Sequence, residues 1–364
     1  MKYLFYLGHP AHFHLFKNVI KNITNKGHEV ITLIKKKDIL EELLKQSNFN
    51  YINILPEGRK DSKTGIAWGL MKRDFRLLKY CLFNRPDVMI GTSTEISHVG
   101  KLLNIPSINF NEDDASVVPM YSKLSYPWAS CILSPVVCNN EKWEKKSIKY
   151  NGYHELAYLH PNHFIPDPDI AGSYINYKTP YFILRFAKLT AHHDRGIKGI
   201  NTEIAKNIIE LLVPFGQVLI TSERTLEREF EPFRLKINTL DMHHVMAFAR
   251  LYIGDSQTMA AEAGVLGIPF IRFNDFVGRS GYLNELEDKY HLGFGVLTND
   301  NEKLYSTIKN ILEIKDLQEV WKKRRKIMLN DKIDSAAFFT WFLTDYPNSR
   351  SQMIEFPEFQ FTFK

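Results

Sequence analysis

The sequence predicts an α/β protein built from two doubly wound domains with a cleft between them. Its 364 residues exceed what one hydrophobic core commonly organises. Short apolar runs alternate with helical patterns, as a parallel sheet covered on both faces requires. That alternation stops in HPNHFIPDPDIAGSYINYKTP, where Pro161, Pro166, Pro168 and Pro180 mark loop or linker, and then begins again. The expected division is 1–165 for the first domain, 166–345 for the second, and 346–364 as a tail that packs back on the first.

In the first half, Tyr3 to Leu7 reads as a buried strand, Phe13 to Asn25 as an amphipathic helix, and Glu29 to Ile34 as a second strand after the Gly27-His28 turn. Further strands are expected at 51–54, 88–90, 107–110 and 131–133. After the linker come strand 181–186, a helix near 202–212, strand 217–220, and helices near 303–314, 317–329 and 335–344. The linker itself shows no helical or strand pattern of any length.

Composition bounds the function. Apolar residues make up 44% and charged residues 24%, ordinary values that argue against wholesale disorder. The formal charge of +6, from 47 basic and 41 acidic residues, suits an anionic substrate or an anionic membrane surface without demanding either. No basic-aromatic recognition motif stands out, so nucleic acid is not an expected partner. Cys81, Cys131 and Cys138 are odd in number and lack metal-ligand spacing, which fits reduced, buried thiols. The opening apolar run is too short for a signal peptide, and no run approaches the ~20 apolar residues of a membrane helix. A cytoplasmic protein is expected, with a peripheral position at the inner face of the membrane as an option.

The densest local signal is RLYIGDSQTMAAEAGVLGIPFIRF, residues 250–273: strand, polar turn, helix from Thr258 to Leu266, strand. Ser256 or Thr258 can cap that helix, and Ala260, Ala261, Ala263 and Gly264 let it lie close on a sheet. Gly254, Asp255 and Ser256 feed a helix N-terminus, whose free amides and dipole suit a phosphate. Glu262, about one turn further on, is placed to accept hydrogen bonds from sugar hydroxyls, or is a solvated acid in an ordinary βαβ unit. Arg185, at the end of another strand, is a candidate diphosphate contact, with a surface ion pair as the alternative, and is followed by Lys188, Thr190, His192, His193, Asp194 and Arg195. Thr221, in Thr221-Ser222-Glu223-Arg224, is expected to line the same site.

In the first half, His9, His12 and His14 follow the first strand, where a neutral imidazole can take a hydroxyl proton. His12 is the first choice for base or acceptor contact and His9 the second; helix capping or packing is the alternative for each. The loop lacks GxGxxG, which disfavours a nicotinamide dehydrogenase. Thr92, Ser93, Thr94 and Glu95 can hold an acceptor or simply cap a helix from Glu95 to Leu103. Glu112, Asp113 and Asp114 can supply a general base, Asp113 foremost, hold a cation, or form the acidic first turn of a helix near Ala115. Neither metal nor cofactor is expected. Residues 65–83, GIAWGLMKRDFRLLKYCLF, combine apolar and cationic faces, as either a membrane-surface helix or a core-packed amphipathic helix would.

GDSQTMAAEAGVLGIP resembles the nucleotide-sugar segment of GT-B proteins, which include MurG-type glycosyltransferases and non-hydrolysing UDP-N-acetylglucosamine 2-epimerases. TLDMHHVMAFARLYIGDS and YLGHPAHFHLFKNVIKNITNKGHEVITL are similar to other parts of that superfamily. PDVMIGTSTEISHVGKLLNIPSINFNEDDA and YNGYHELAYLHP resemble the DUF354 family, whose pattern covers most of the chain. The resemblance implies a GT-B-like pair of Rossmann-type domains and a nucleotide-diphosphate sugar as co-substrate. It implies a transferase of cell-surface polysaccharide or glycolipid assembly, with a glycan or lipid-linked acceptor. It also places the nucleotide base at Leu240-Asp241-Met242-His243, held through backbone groups, and the ribose on Glu262. A 2-epimerase is the alternative, although Gln257 and Thr258 stand where that pattern has glycines. A non-catalytic sugar-nucleotide binder is the third reading.

Overall fold

The computed structural model describes residues 1–37, 39–57, 63–187 and 199–364, with backbone alone at 63–67. The chain forms two compact units. One is Met1–Tyr158 together with Ile333–Lys364, and the other is Leu159–Lys332.

The first unit holds a seven-stranded parallel sheet in the order β3-β2-β1-β4-β5-β6-β7. Its strands are β1 (Lys2–Leu7), β2 (Glu29–Lys35), β3 (Ile52–Leu55), β4 (Val88–Gly91), β5 (Ser107–Phe110), β6 (Cys131–Pro135) and β7 (Ser147–Tyr150). Central strands bury nearly every side chain, which explains their unbroken apolar runs. The sheet reverses its winding between β1 and β4, which pair in parallel from Tyr3↔Val88 to Tyr6↔Gly91. The helices Pro10–Asn25 and Thr94–Leu103 follow these two strands.

The second unit holds five parallel strands in the order β12-β11-β10-β8-β9. These are β8 (Tyr181–Phe186), β9 (Gln217–Ser222), β10 (Leu251–Gly254), β11 (Phe270–Phe273) and β12 (Gly293–Val296). Here the winding reverses between β8 and β10, where Arg185 is paired with Gly254. In open sheets of this kind, ligands bind beyond the carboxyl ends at such a reversal.

Several expectations change. The division falls after Tyr158, not at 165, and the second unit ends at Lys332 rather than 345. The helix Ser335–Thr344 belongs to the first unit because its aromatic face needs that core. Phe339 lies edge-to-face on Phe110 at 4.9 Å and on Tyr150 at 4.8 Å, and Asn22 donates to Thr340 Oγ1 at 3.3 Å. The tail continues as the helix Asn348–Glu355 and the 3-10 segment Pro357–Phe363, with Trp341 packed on Phe359 at 4.9 Å. The proline-rich stretch does hold a short helix, Pro168–Gly172, capped by the Asp167 carboxylate. β7 and β12 have no counterpart among the expected strands.

Candidate functional site

At the carboxyl end of the second sheet, Ser256 caps the helix Gln257–Leu266, its Oγ accepting the Met259 amide at 3.4 Å. Ser256 and Thr258 remain partly exposed on the first turn, while the body of the helix is buried. A Cβ on Gly254 would come within 2.8 Å of the Arg185 Cβ, so only glycine permits the two strand ends to approach here. The Arg185 guanidinium bonds Glu223, and its buried Nε has no partner among the described residues. Thr221 Oγ1, on the neighbouring strand, is likewise buried and unpartnered among the described residues.

Two of the expected nucleotide contacts are tied elsewhere. The Asp255 carboxylate accepts the amides of Ala187 at 2.6 Å and Ile200 at 3.3 Å, so it holds backbone together. Burial pushes its pKa up to about 6, although those backbone hydrogen bonds act to lower it. Its own carbonyl accepts from Asn274 at 3.1 Å. Glu262 is buried, and its Oε1 lies 3.0 Å from His243 Nε2. Half-buried Met242 begins the helix Met242–Met246, so residues 240–243 are a 3-10 turn running into a helix rather than an open loop. The tract Lys188, Thr190, His192, His193, Asp194 and Arg195 lies outside the described residues. Beside this face, fully buried Arg272 bonds Glu287 through two nitrogens at 2.9 and 3.2 Å, a pair with no local signal in the sequence.

The first sheet collects its candidates at the carboxyl ends of β1, β4 and β5. His9 caps the helix Pro10–Asn25, its Nδ1 accepting the Ala11 amide at 3.2 Å. His12 Nδ1 accepts the Gly8 amide at 3.1 Å, so in the neutral ring the proton sits on Nε2. Burial holds this imidazole well below the usual histidine range, and His9, Lys35 and His154 act in the same direction. The ring therefore presents a donor at Nε2 rather than a base. His14 packs edge-on against Phe13 and near Tyr158.

Thr92 Oγ1 donates to the Phe110 carbonyl at 2.7 Å. The helix cap is Ser93, not Thr94, and the Ser93 hydroxyl donates to Glu95 Oε2 at 2.5 Å. Glu95 is buried in an ion pair with buried Arg73 of the helix Lys63–Phe83. Burial alone would raise its pKa, but Arg73, Lys35 and the Ser93 hydroxyl outweigh it and bring the carboxyl to about 2. That makes Glu95 a structural anchor.

No helix starts at Ala115. Asp114 instead accepts the Asn139 amide at 2.8 Å, and the next helix begins at Pro119, whose ring presets the first helical φ. Asp113 is half-buried, with its carbonyl bonded by Asn111 at 2.8 Å. The acid engaged with a potential catalytic partner is Glu112. Its Oε1 lies 3.3 Å from His154 Nδ1, and its Oε2 accepts the His154 amide at 3.2 Å. Burial drives the His154 pKa down to about 3, and its enclosed Nε2 has no partner among the described residues. His154 lies in YNGYHELAYLHP, where nothing local flags it; the contact spans the sheet from β5 to β7. Among the described residues no group of three His, Cys, Asp or Glu side chains converges to hold a metal ion.

The helix Lys63–Phe83 divides into two faces. Leu77, Cys81 and Arg73 turn inward. Outward, at helical spacing, stand Trp68 (68% exposed), Met71 (63%), Phe75 (66%), Leu82 (62%) and Phe83 (79%). Lys72, Arg76 and Lys79 flank them, the first two ion-paired with Glu57. No helix among the described residues is long and apolar enough to cross a membrane.

The family described as "Protein of unknown function (DUF354)" matches residues 4–335. No curated protein matches the sequence. Among solved structures, S. aureus MnaA with UDP is similar with TM-score 0.68 and 11% identity, over 96% of this chain and 97% of that one. UDP-GlcNAc 2-epimerase from Methanocaldococcus jannaschii gives 0.62 and 15%, over 90% and 99%. The spinosyn rhamnosyltransferase SpnG, complexed with spinosyn aglycone, gives 0.61 and 13%, over 94% and 100%. These likenesses establish the fold: two GT-B-like, Rossmann-type α/β domains.

Proposed function

Because the chain belongs to the DUF354 family, whose chemistry carries no assignment, we propose from its own site that it is a glycosyltransferase using a nucleotide-diphosphate sugar. The carrying observation is the reversal of the second sheet, where Arg185 and the first turn of the Gln257–Leu266 helix meet at neighbouring strand ends. Amides near Gly254, the Ser256 and Thr258 hydroxyls and Arg185 bind the diphosphate; the helix dipole and guanidinium stabilise its negative charge as it leaves. Glu262, oriented by His243, takes the ribose, and the turn entering Met242 takes the base. Similar proteins bound to UDP or an aglycone support this assignment of ligand classes. On the first unit, His12 donates to the acceptor from Nε2, with His9, Thr92 and Asp113 around it.

The acceptor is proposed to be lipid-linked, in cell-surface polysaccharide or glycolipid assembly. Support comes from the outward face of the Lys63–Phe83 helix, whose apolar stripe and flanking cations suit the headgroup region of an anionic membrane. The protein then works as a peripheral enzyme at the cytoplasmic leaflet.

A second reading has one observation in its favour. The half-buried Glu112 carboxylate, which accepts the His154 amide, is an acid suited to proton transfer at carbon, as a nucleotide-sugar 2-epimerase requires, whereas the buried His154 imidazole is too weak a base for that step. Calorimetric titration with UDP, UDP-N-acetylglucosamine and GDP, on wild type and Glu262→Gln, tests the shared donor site. One nucleotide is expected to bind and to weaken at least tenfold in the variant; no binding by any would sink both readings. Incubation with the bound nucleotide sugar in deuterated water then separates them. Deuterium at C2 of the sugar, without acceptor, means epimerisation and overturns the transferase.

A further inference from the structure

A recess of about 330 Å³ opens at the opposite end of the second sheet. It is formed by the segment entering β8 (Tyr177 to Pro180), the segment entering β10 (Phe248 and Arg250), and the turn that starts the helix Leu317–Asp331. Since β8 and β10 run parallel, both approach segments lie at the amino end. A six-residue strand spans roughly 20 Å, which separates this recess from Arg185 and Gly254. Its volume falls at the lower end of the range for small-molecule sites, about 300–1,000 Å³.

Three features of its wall converge on one ligand chemistry. Arg250 donates from one terminal nitrogen to the Leu312 carbonyl at 3.1 Å, which fixes the guanidinium. Its Nε is enclosed and has no partner among the described residues, while the half-buried side chain as a whole lines the recess. Such a planar fork suits an oxyanion such as phosphate. Tyr177 and Phe248 pack with ring centroids 5.3 Å apart and planes tilted by 44°, giving the wall an aromatic component beside that guanidinium. Lys178 and Lys315 are exposed around the rim with Asp316 and Glu319, and Glu319 leans to Lys322 at 3.8 Å. With Arg250 the lining carries three cations against two acids, and the amino end of a 15-residue helix adds positive potential.

We propose that this recess is a second ligand site, for a nucleoside phosphate whose anion meets Arg250 and whose base lies against Tyr177 and Phe248. It is separate from the donor site and does not depend on that site's assignment. Its position, behind the strands that carry Arg185 and Gly254, makes it a place from which a bound metabolite can bias the donor face.

The test is calorimetric titration of the full chain with AMP, UMP and inorganic phosphate. Wild type is expected to bind a nucleotide, and Arg250→Gln to weaken that binding at least tenfold. In Arg185→Gln, where the donor site is weakened, a nucleotide-binding event that Arg250→Gln removes should remain. Tyr177→Ala should weaken the nucleotide but not inorganic phosphate. Should Arg250→Gln fail to fold, the exposed pair Lys178→Ala/Lys315→Ala is expected to weaken binding at least threefold at low salt. Loss with Arg185→Gln and retention with Arg250→Gln would mean that only the donor site binds nucleotides, and the proposal fails. It also fails if wild type binds none of the three, or if the lysine pair has no effect.

Discussion

Nε2 of His243 stands 3.0 Å from Oε1 of Glu262, joining two helices that flank β10. Both side chains are buried, so neither is left alone without cost. Removing one member of such a pair costs about 1–3 kcal/mol. Glu262→Ala and His243→Ala should each lower urea-unfolding stability by that amount, and the double variant by less than their sum. Strict additivity would show that the contact carries no coupling.

Asp255 gives the second unit a specific pH dependence. Its folded pKa of about 6 lies above the ordinary aspartate value of 3.8. Its contribution is therefore full below 3.8 and is lost as pH rises through 6. Between pH 4 and pH 7 wild type should lose roughly 2 kcal/mol relative to Asp255→Asn. Parallel stability-pH curves for the two proteins would refute this.

Glu95 works in the other direction. With a folded value of about 2 against the ordinary 4.5, its contribution is full above 4.5 and is lost as pH falls through 2. At pH 7, Glu95→Gln should cost about 3 kcal/mol of unfolding free energy. Nucleotide affinity in the folded variant should stay unchanged. A stable variant with impaired acceptor use would restore Glu95 to the acceptor site.

The outward face of the Lys63–Phe83 helix predicts sedimentation with phosphatidylglycerol vesicles and a blue shift of Trp68 fluorescence. Phe75→Ser/Leu82→Ser should abolish sedimentation while leaving thermal unfolding within a few degrees of wild type, because both side chains are exposed. Equal sedimentation of variant and wild type would remove this face from membrane contact.

His12 predicts a missing feature in the pH profile. Its imidazole is held well below the usual histidine range, so no limb near 6.5 should arise from it. His12→Gln, which keeps an N–H donor, should retain at least tenfold more activity than His12→Phe. An activity limb near 6.5 that vanishes in His12→Gln would make it a base after all.

Local chemistry made part of this molecule legible. Ser256 and its helix could be read because a capping hydroxyl, small residues and an αL Gly267 terminator all act within a few positions. The strands on either side of each reversal were readable for a similar reason: they are buried on both faces and so almost wholly apolar. What stayed hidden depends on contacts far apart in sequence. Glu262 finds His243, Glu112 finds His154, and Arg272 finds Glu287 only after the sheets form. The same applies to Glu95, whose character depends on Arg73 from the preceding helix. The acidic run at 112–114 does not open a helix, because Glu112 is engaged by His154 and Asp114 by the Asn139 amide. For the Lys63–Phe83 helix the sequence favours core packing, and periodicity alone does not show that its outward apolar side chains are exposed.

The return of the chain to the first unit at Ile333 bears on how the molecule is made. Residues 1–158 leave the ribosome with Phe110 and Tyr150 lacking the aromatic face of Ser335–Thr344 that covers them. The second unit, contiguous from Leu159 to Lys332, has no such debt and can close as soon as it is synthesised. A segment translated after the second unit thus completes the first. Truncation between 332 and 335 should expose an aromatic-lined gap in the first unit, marking such chains as substrates for chaperones and proteases while residues 159–332 are already folded.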